Sequence, residues 1–562
     1  MRRAGWVLLV VGLVAAVASP PAWSGPVGPV RGGTLTIARP VDAVSLDPYF
    51  ETTAPGAWIY QMILEPLVIM GPDMKVQPKL ATGWRVLSPT RIRFTLRRDV
   101  KFHDGTVFNA AAVKFTFDRA FDPKTPSRWA SIGGPIKGAE VVDDYTVDIV
   151  TTEPYAPLIY SVAMVYAGIV SPAAVQRLGA EFSRRPVGTG PFKFEEWRTN
   201  DRISVTRNDE YWGTKAHLDR IVFRVIPEES ARMIALRTGE VDMVLVPAPA
   251  QLAAFARDPN FTVASANGIR VVMIAMNLSR PPMSDVRVRR ALIVGTNRRS
   301  IVDNILEGAA APADGILAPG VFGYRPLNLD TLYPYNPQRA RALLQEAGFR
   351  PGPDGIMQRE GIPLALTLLS PRGRFFKDAE ISEAFQAQMR EIGVRVDISF
   401  LEWATVFTTM RAAVLDYHLV TRGWVTTTAD ADYSLLPLFR SDQVPPKGWN
   451  LHRYFNPEYD KLVDQARLSM NPREREELYA RAQELLARDI MAIPLCHEGD
   501  RGDAIAREGV RAASDRVQPG VRVRLDPEVG ATGAGGAGEI SAGSGPRPER
   551  PPRIIRYLSF EP

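Results

Sequence analysis

Ile381-Ser-Glu-Ala-Phe-Gln-Ala-Gln-Met-Arg-Glu-Ile-Gly-Val-Arg-Val-Asp-Ile-Ser-Phe400 changes its hydrophobic period half-way, and that change decides the fold class. Ile381, Phe385, Met389 (beside Gln388) and Ile392 trace one face of a helix, and Gly393 supplies its stop. From Val394 to Phe400 apolar and polar residues alternate, as a half-buried strand requires. Working outward, the same two signals recur. Asn336-Pro337, Asn456-Pro457 and Asn471-Pro472 each place an N-cap before a proline at the first helical position, and Gly348 closes the first of these helices. Ile92, Phe94 and Leu96 alternate with polar neighbours, as does Tyr145-Thr-Val-Asp-Ile-Val150. Ile221-Val-Phe-Arg-Val-Ile226 reads as a strand buried on both faces. The alternation runs from about Gly32 to Asp500 without an internal repeat, so the chain is a mixed α/β protein.

The two ends read differently. Arg2 and Arg3 precede an apolar run from Trp6 to Ala18, followed by Ala22-Trp23-Ser24, the layout of a secretory signal cleaved before Gly25. A membrane anchor is the rival reading, but a span needs roughly 20 apolar residues, and Pro20 and Pro21 interrupt this run. No cysteine follows it, so a lipid anchor has no attachment point. Residues 1–24 are therefore expected to be removed, and the mature chain to be periplasmic or extracellular. Residues 528–562 are expected to be a largely disordered tail: Glu528 to Pro552 is almost entirely Gly, Ala, Ser, Pro and Arg, too poor in apolar surface to offset its ordering entropy. Ile554-Ile-Arg-Tyr-Leu-Ser-Phe560 alone has an edge-strand pattern. Cys496 is the sole cysteine of 562 residues, which excludes an internal disulfide and any cysteine-based zinc site. With 45% hydrophobic residues the chain has material for more than one core.

Catalytic signatures are missing. There is no phosphate-binding Gly-x-x-x-x-Gly-Lys loop, no Gly-x-Ser-x-Gly elbow and no His-Glu-x-x-His. His103, His217, His418, His452 and His497 are scattered, with no i, i+4 pair to hold a metal. Gly188-Thr-Gly190 runs into Pro191-Phe192 and reads as a turn entering a strand, where a phosphate loop would open a helix. Sixty-eight basic residues against 62 acidic give a net charge of +6 without clustering, so no nucleic-acid partner is expected. No enzyme activity, cofactor or metal is expected either.

The remaining signal lies in a series of short segments. They begin with Gly32-Gly-Thr-Leu-Thr-Ile37, Ser45-Leu-Asp-Pro48, Glu65-Pro-Leu67 and Pro78-Lys-Leu-Ala-Thr-Gly-Trp84. Phe94-Thr-Leu-Arg-Arg-Asp-Val-Lys-Phe-His-Asp-Gly-Thr106 is the most characteristic, with Asn109-Ala-Ala-Ala-Val-Lys-Phe115 opening a helix behind it. Then come Pro186-Val-Gly-Thr-Gly-Pro-Phe192, Arg207-Asn-Asp-Glu-Tyr-Trp212 and Gly239-Glu-Val-Asp-Met243. The second half adds Met276-Asn-Leu278, Asp285-Val-Arg-Val-Arg-Arg-Ala-Leu292, Ala340-Arg-Ala-Leu-Leu-Gln-Glu-Ala-Gly348 and Gly423-Trp424. In this order, over roughly residues 32–500, they resemble the extracellular solute-binding proteins of the dipeptide, oligopeptide and nickel ABC importers, family 5. Turn and packing chemistry explains most of these segments without any ligand. Phe102 to Thr106 reads as a strand end and turn, and Asp285 to Leu292 as a helix with a basic solvated face.

The resemblance implies an α/β, two-lobed periplasmic-binding-protein-like fold (type II, cluster C) with an extra domain inserted in the first lobe. Residues 25–47, 187–268 and 490–527 would form lobe I, 48–186 the extra domain and 269–489 lobe II. It further implies a monomer that closes on a small-molecule or peptide ligand between its lobes and presents it to ABC permease subunits. By the same resemblance Thr52 and Thr53 would contact ligand, and Arg372 or Arg374, in Ser370-Pro-Arg-Gly-Arg-Phe-Phe376, would hold a ligand carboxylate. Guanidinium suits that task because its donors form a planar fork, although Asp378 or Glu380 offers either arginine an alternative partner. Trp424 and Tyr433 would stack on ligand or form interface core. The sequence departs from the peptide-binding pattern at Thr427, where relatives carry an acid for the ligand ammonium. Asp430 or Asp432 would substitute, or the ligand lacks a free amine. Two alternatives stay open: a protein-interaction or signalling role on the same scaffold, and a non-peptide solute such as an opine, oligosaccharide or metal chelate.

Overall fold

The computed structural model describes residues 31–507, apart from 51–52, 125–126, 246, 248, 265–266, 308–309, 376, 413–414, 446 and 500–503. The signal-like segment, Thr52 and the 528–562 tail lie outside the described residues. Two large sheets organise the rest. The first has seven strands in the order Phe261–Ala264, Ala504–Arg507, Met243–Leu245, Thr34–Arg39, Arg220–Val225, Arg202–Arg207, Phe192–Arg198. Its central strand, Thr34–Arg39, runs parallel to both neighbours, and the outer pairs are antiparallel. The second sheet has six strands in the order Ala310–Pro312, Ala492–Gly499, Asn267–Met276, Leu419–Val425, Ala365–Pro371, Arg395–Leu401. The chain passes from the first sheet to the second between Ala264 and Asn267, and returns between Gly499 and Ala504.

The stretch that opened the reading behaves as its period demands. Asp378–Glu391 is a helix burying Ile381, Phe385 and Met389, and Arg395–Leu401 is the parallel edge strand that follows it. Gly393 sits at φ +84° between them, a backbone region costly for a side chain. Asn336, Asn456 and Asn471 each cap a helix with a side-chain oxygen, as does Asp285 for Val286–Val294. In the second sheet alternate side chains enter two separate cores. Leu419, Leu366 and Leu368 pack with the helix at 378–391. Val420, Leu369 and Val271 pack with the helices at Asp432–Phe439, Pro457–Leu468 and Pro472–Asp489. A four-stranded antiparallel sheet, Ala81–Ser88, Arg91–Leu96, Thr146–Thr151 and Ile136–Asp143, shares one continuous core with the seven-stranded sheet.

That shared core contains a polar node which explains four of the sequence segments together. Glu65 is 1% exposed. Its Oε1 takes Lys79 Nζ at 2.9 Å and the Tyr211 hydroxyl at 2.6 Å. Its Oε2 accepts from Trp212 Nε1 at 2.9 Å and Thr189 Oγ1 at 2.8 Å. A carboxylate this deep is tolerated only when paired and fully hydrogen-bonded. Gly188 and Gly190 run so close to the preceding chain that a Cβ would stand 2.1 Å from Ile63 O and 2.3 Å from Met62 O. Asp47 similarly holds Arg119 at 2.6 Å. These segments are structural, and that is why they mark the scaffold.

Candidate functional site

Glycine at 423 sets the geometry of the site. A Cβ there would lie 2.8 Å from the Phe375 ring and 3.2 Å from the Arg270 stem, so only glycine lets the 370–376 loop press on the strand Leu419–Val425. The same loop is tied from below. Asp378, buried at the start of its helix, accepts backbone N–H groups of Gly373, Arg374 and Phe375 at 2.8, 2.7 and 2.9 Å. Asp378 therefore serves the loop backbone.

From Phe375 a continuous chain of rings runs along the edge of the second sheet. Phe375 meets Trp403 at 5.7 Å, Trp403 meets Phe407 at 6.1 Å, and Phe407 meets Trp449 at 5.4 Å. Trp449 meets Trp424 at 5.7 Å, and Trp424 meets Tyr433 at 5.9 Å. Guanidinium groups lie against these rings. Arg374 is 5.3 Å from Trp403, Arg270 is 5.7 Å from Phe375, and Arg411 is 4.3 Å from Trp449. Arg422 is 5.3 Å from Trp424 and 5.8 Å from Trp449. Trp403, Trp424 and Trp449 are half-buried and Phe407 is exposed, so this is a partly wet aromatic wall studded with cations.

The sequence-derived candidates distribute as follows. Trp424 and Tyr433 are both in the wall, Trp424 anchored by its indole N–H to Ser434 Oγ at 3.1 Å. Thr427 sits beside the Tyr433 hydroxyl, with which it shares a hydrogen bond. Arg372 and Arg374 are both exposed, but Arg374 joins the wall while Arg372 is turned onto Phe400 at 4.5 Å. Thr53 is exposed at the start of the helix Ala54–Tyr60. Asp430 has a structural partner: Arg475 Nη2 stands 2.8 Å from both its oxygens, and both residues are buried. Arg475 also donates from Nε to Ala466 O at 2.9 Å, so the pair locks the Gly-Trp loop to two helices. Asp432 is 7% exposed and its Oδ1 has no hydrogen-bond partner among the described residues. Burial pushes its carboxyl up to about 7, with Arg467 opposing and Asp430 reinforcing the rise.

Arg422 was not among the candidates, although the signal for it was present. In His418-Leu-Val-Thr-Arg-Gly-Trp-Val425 it shares a strand face with Val420 and Trp424, an arginine on a core-facing register. It is 2% exposed, and neither its Nε nor its Nη1 has a hydrogen-bond partner among the described residues. Burial lowers its guanidinium to about 10; Tyr417 opposes the shift and Arg411 adds to it. His418 is committed elsewhere, its Nδ1 accepting from Thr367 N at 3.0 Å. Among the described residues no group of three or more His, Cys, Asp or Glu side chains is placed to hold a metal.

The loop also sits where the two halves of the molecule meet. Phe322 exchanges backbone hydrogen bonds with Ala429 and Ala431, 2.8 and 2.9 Å, and its ring lies 5.5 Å from that of Tyr160. Nearby, Ala156 N donates to Arg467 O at 2.9 Å, and Arg467 pairs with Glu153 at 3.1 Å. A cavity of about 200 Å³ lies at this junction, between Trp84, Tyr155 and Tyr160 on one side and Phe322, Met470 and Arg475 on the other.

Residues 75–445 match the family described as bacterial extracellular solute-binding proteins, family 5 Middle. This chain belongs to that family. The solute-binding protein is 30% identical over 504 residues to the glutathione-binding protein GsiB of Salmonella choleraesuis, covering 87% of this chain and 93% of that one. It is similar to the periplasmic binding protein DppA of Helicobacter pylori, solved with the peptide STSA. That match has 27% identity and a TM-score of 0.66 over 85% of this chain and 94% of the other. It is also similar to NikA of Brucella suis, solved with Fe(III)-EDTA: 26% identity and a TM-score of 0.73 over 85% and 96%. These neighbours carry the two-lobed fold. The family is one of solute-binding proteins, and no helix of the described residues is long and apolar enough to cross a membrane.

Proposed function

We propose that the solute-binding protein captures one small peptide-like solute per chain between its two halves and hands it to the permease of an ABC importer. The wall of arginines and aromatic rings around Gly423-Trp424 carries this reading, because it adjoins the junction of the halves and presents both stacking faces and donor forks. A solute that touches both halves stabilises their closed arrangement by its own binding energy. The relatives support the solute class by what they bind: glutathione for GsiB, a tetrapeptide for DppA and a metal chelate for NikA. The lobe boundaries at 47/48, 186/187, 268/269 and 489/490 belong to the same proposal, as do the secreted location and the monomeric state.

Thermal-shift measurements test it. Glutathione, di- and tripeptides, opines, oligosaccharides and Fe(III)-EDTA are added to the purified protein, and any hit is titrated by calorimetry. One-to-one binding with a raised melting temperature is expected, since the ligand stabilises only the folded form. A protein whose melting temperature none of these moves is not a receptor for this class.

A further inference from the structure

We infer that the solute enters with a carboxylate, or an equivalent planar anion, directed at Arg422 between the rings of Trp424 and Trp449. This deepens the proposed function and rests on it. Arg422 is 2% exposed and, among the described residues, has no carboxylate partner; two of its three nitrogens have no hydrogen-bond acceptor. Among the described residues, the titratable groups in electrostatic contact with it are Tyr417, Arg411 and His452, and none of them is a carboxylate. His452 is held neutral by burial, its ring pushed down to about 3. Arg411 lies 4.3 Å from Trp449 and Arg422 5.8 Å from the same ring, so two cations share one indole. A buried guanidinium without an anion is costly to the folded chain, and a planar two-oxygen acceptor removes that cost.

The two acids of the loop do not supply the anion. Asp430 is held by Arg475 at 2.8 Å, and Asp432, on the Tyr155 side, is kept near neutrality by burial. Position 427, a threonine, carries no charge. The loop therefore offers positive charge and stacking surface to a guest and little to attract an ammonium. A net-anionic organic solute fits this arrangement: an N-blocked peptide, a γ-linked peptide with two carboxylates, or a dicarboxylate.

Matched acid and amide pairs isolate the carboxylate. The probes are N-acetyl-Ala-Ala and its C-terminal amide, tri-alanine and its amide, and glutathione and its glycinamide form, titrated into the full chain by calorimetry. Acids are expected to bind at least about 30-fold more tightly than their own amides. Arg422→Met is expected to erase that ratio while keeping or raising the melting temperature of the ligand-free protein. Arg422→Lys, which keeps the charge without the fork, is the second variant and is expected to retain part of the ratio. Amides that bind as well as acids, or a ratio unchanged in both variants, would overturn the inference and leave solute binding intact. A neutral sugar as the only hit would do the same. If no probe and no member of the wider panel shifts the protein, the receptor reading falls with it.

Discussion

Asp432 gives the sharpest test of the site's electrostatics. Its carboxyl is raised from 3.8 to about 7, chiefly by burial, with Oδ1 unpartnered. An acid whose folded value lies above its unfolded value binds its proton more tightly in the folded state. Below pH 4 both states are protonated and the group costs nothing. As pH rises from about 4 to about 7 the unfolded chain releases the proton first, and stability falls; above about 7 the loss is complete. Three pH units at about 1.36 kcal/mol each give a loss on the order of 4 kcal/mol. Asp432→Asn has nearly the same shape and cannot ionise. Urea unfolding followed by tryptophan fluorescence at pH 4.5, 6, 7 and 8 compares the two proteins, and every other titrating group cancels in the difference. The variant should gain on the wild type as pH rises, by about 3 kcal/mol between pH 4.5 and pH 8. A difference flat in pH would mean that Asp432 is ionised and compensated at neutral pH, and the charge inventory of the loop would be wrong.

Three further outcomes are expected. Arg475→Met should cost about 3–5 kcal/mol in the same unfolding assay because it strands the buried Asp430 carboxylate, whereas Asp430→Asn with Arg475→Met should recover most of the loss; equal costs for single and double variants would show that the pair is not coupled. His452, pushed down to about 3 by burial, contributes stability that is complete above about pH 6.5 and is lost as pH falls towards 3. Wild type minus His452→Gln stability, from unfolding curves at pH 7 and 4, should therefore shrink on acidification by about 3 kcal/mol. Trp424→Ala should weaken binding of any calorimetric hit by about 2 kcal/mol, roughly 30-fold, with little change in secondary structure by circular dichroism.

Much of the site was readable locally and some was not. Trp424, Tyr433 and Arg374, singled out from the Gly-Trp loop and the segment after Ser370, lie together along one wall of rings. Arg372 and Arg374 are two residues apart, and nothing local says which turns to Phe400 and which to Trp403; packing against separate elements chose. Asp430 and Asp432 look interchangeable in Ala429-Asp-Ala-Asp432, yet Arg475, 45 residues away, binds one, while Oδ1 of the other has no hydrogen-bond partner among the described residues.

Amino-acid order alone specifies the element types, because hydrophobic period and capping act over four residues or fewer: Ile381 to Phe400 encodes a helix and then a strand. It determined the absence of disulfides, through a single cysteine, and the family, through segments that serve turns and the Glu65 node. Only the tertiary structure decided which charges are spent. Ion pairing depends on distance through space, and the partners of Glu65 and Asp430 come from elements far apart in sequence, each set brought together within its own core. Arg422 became visible as a candidate for the same reason: what distinguishes it is that, among the described residues, no acid pairs with it, a property of the packed neighbourhood.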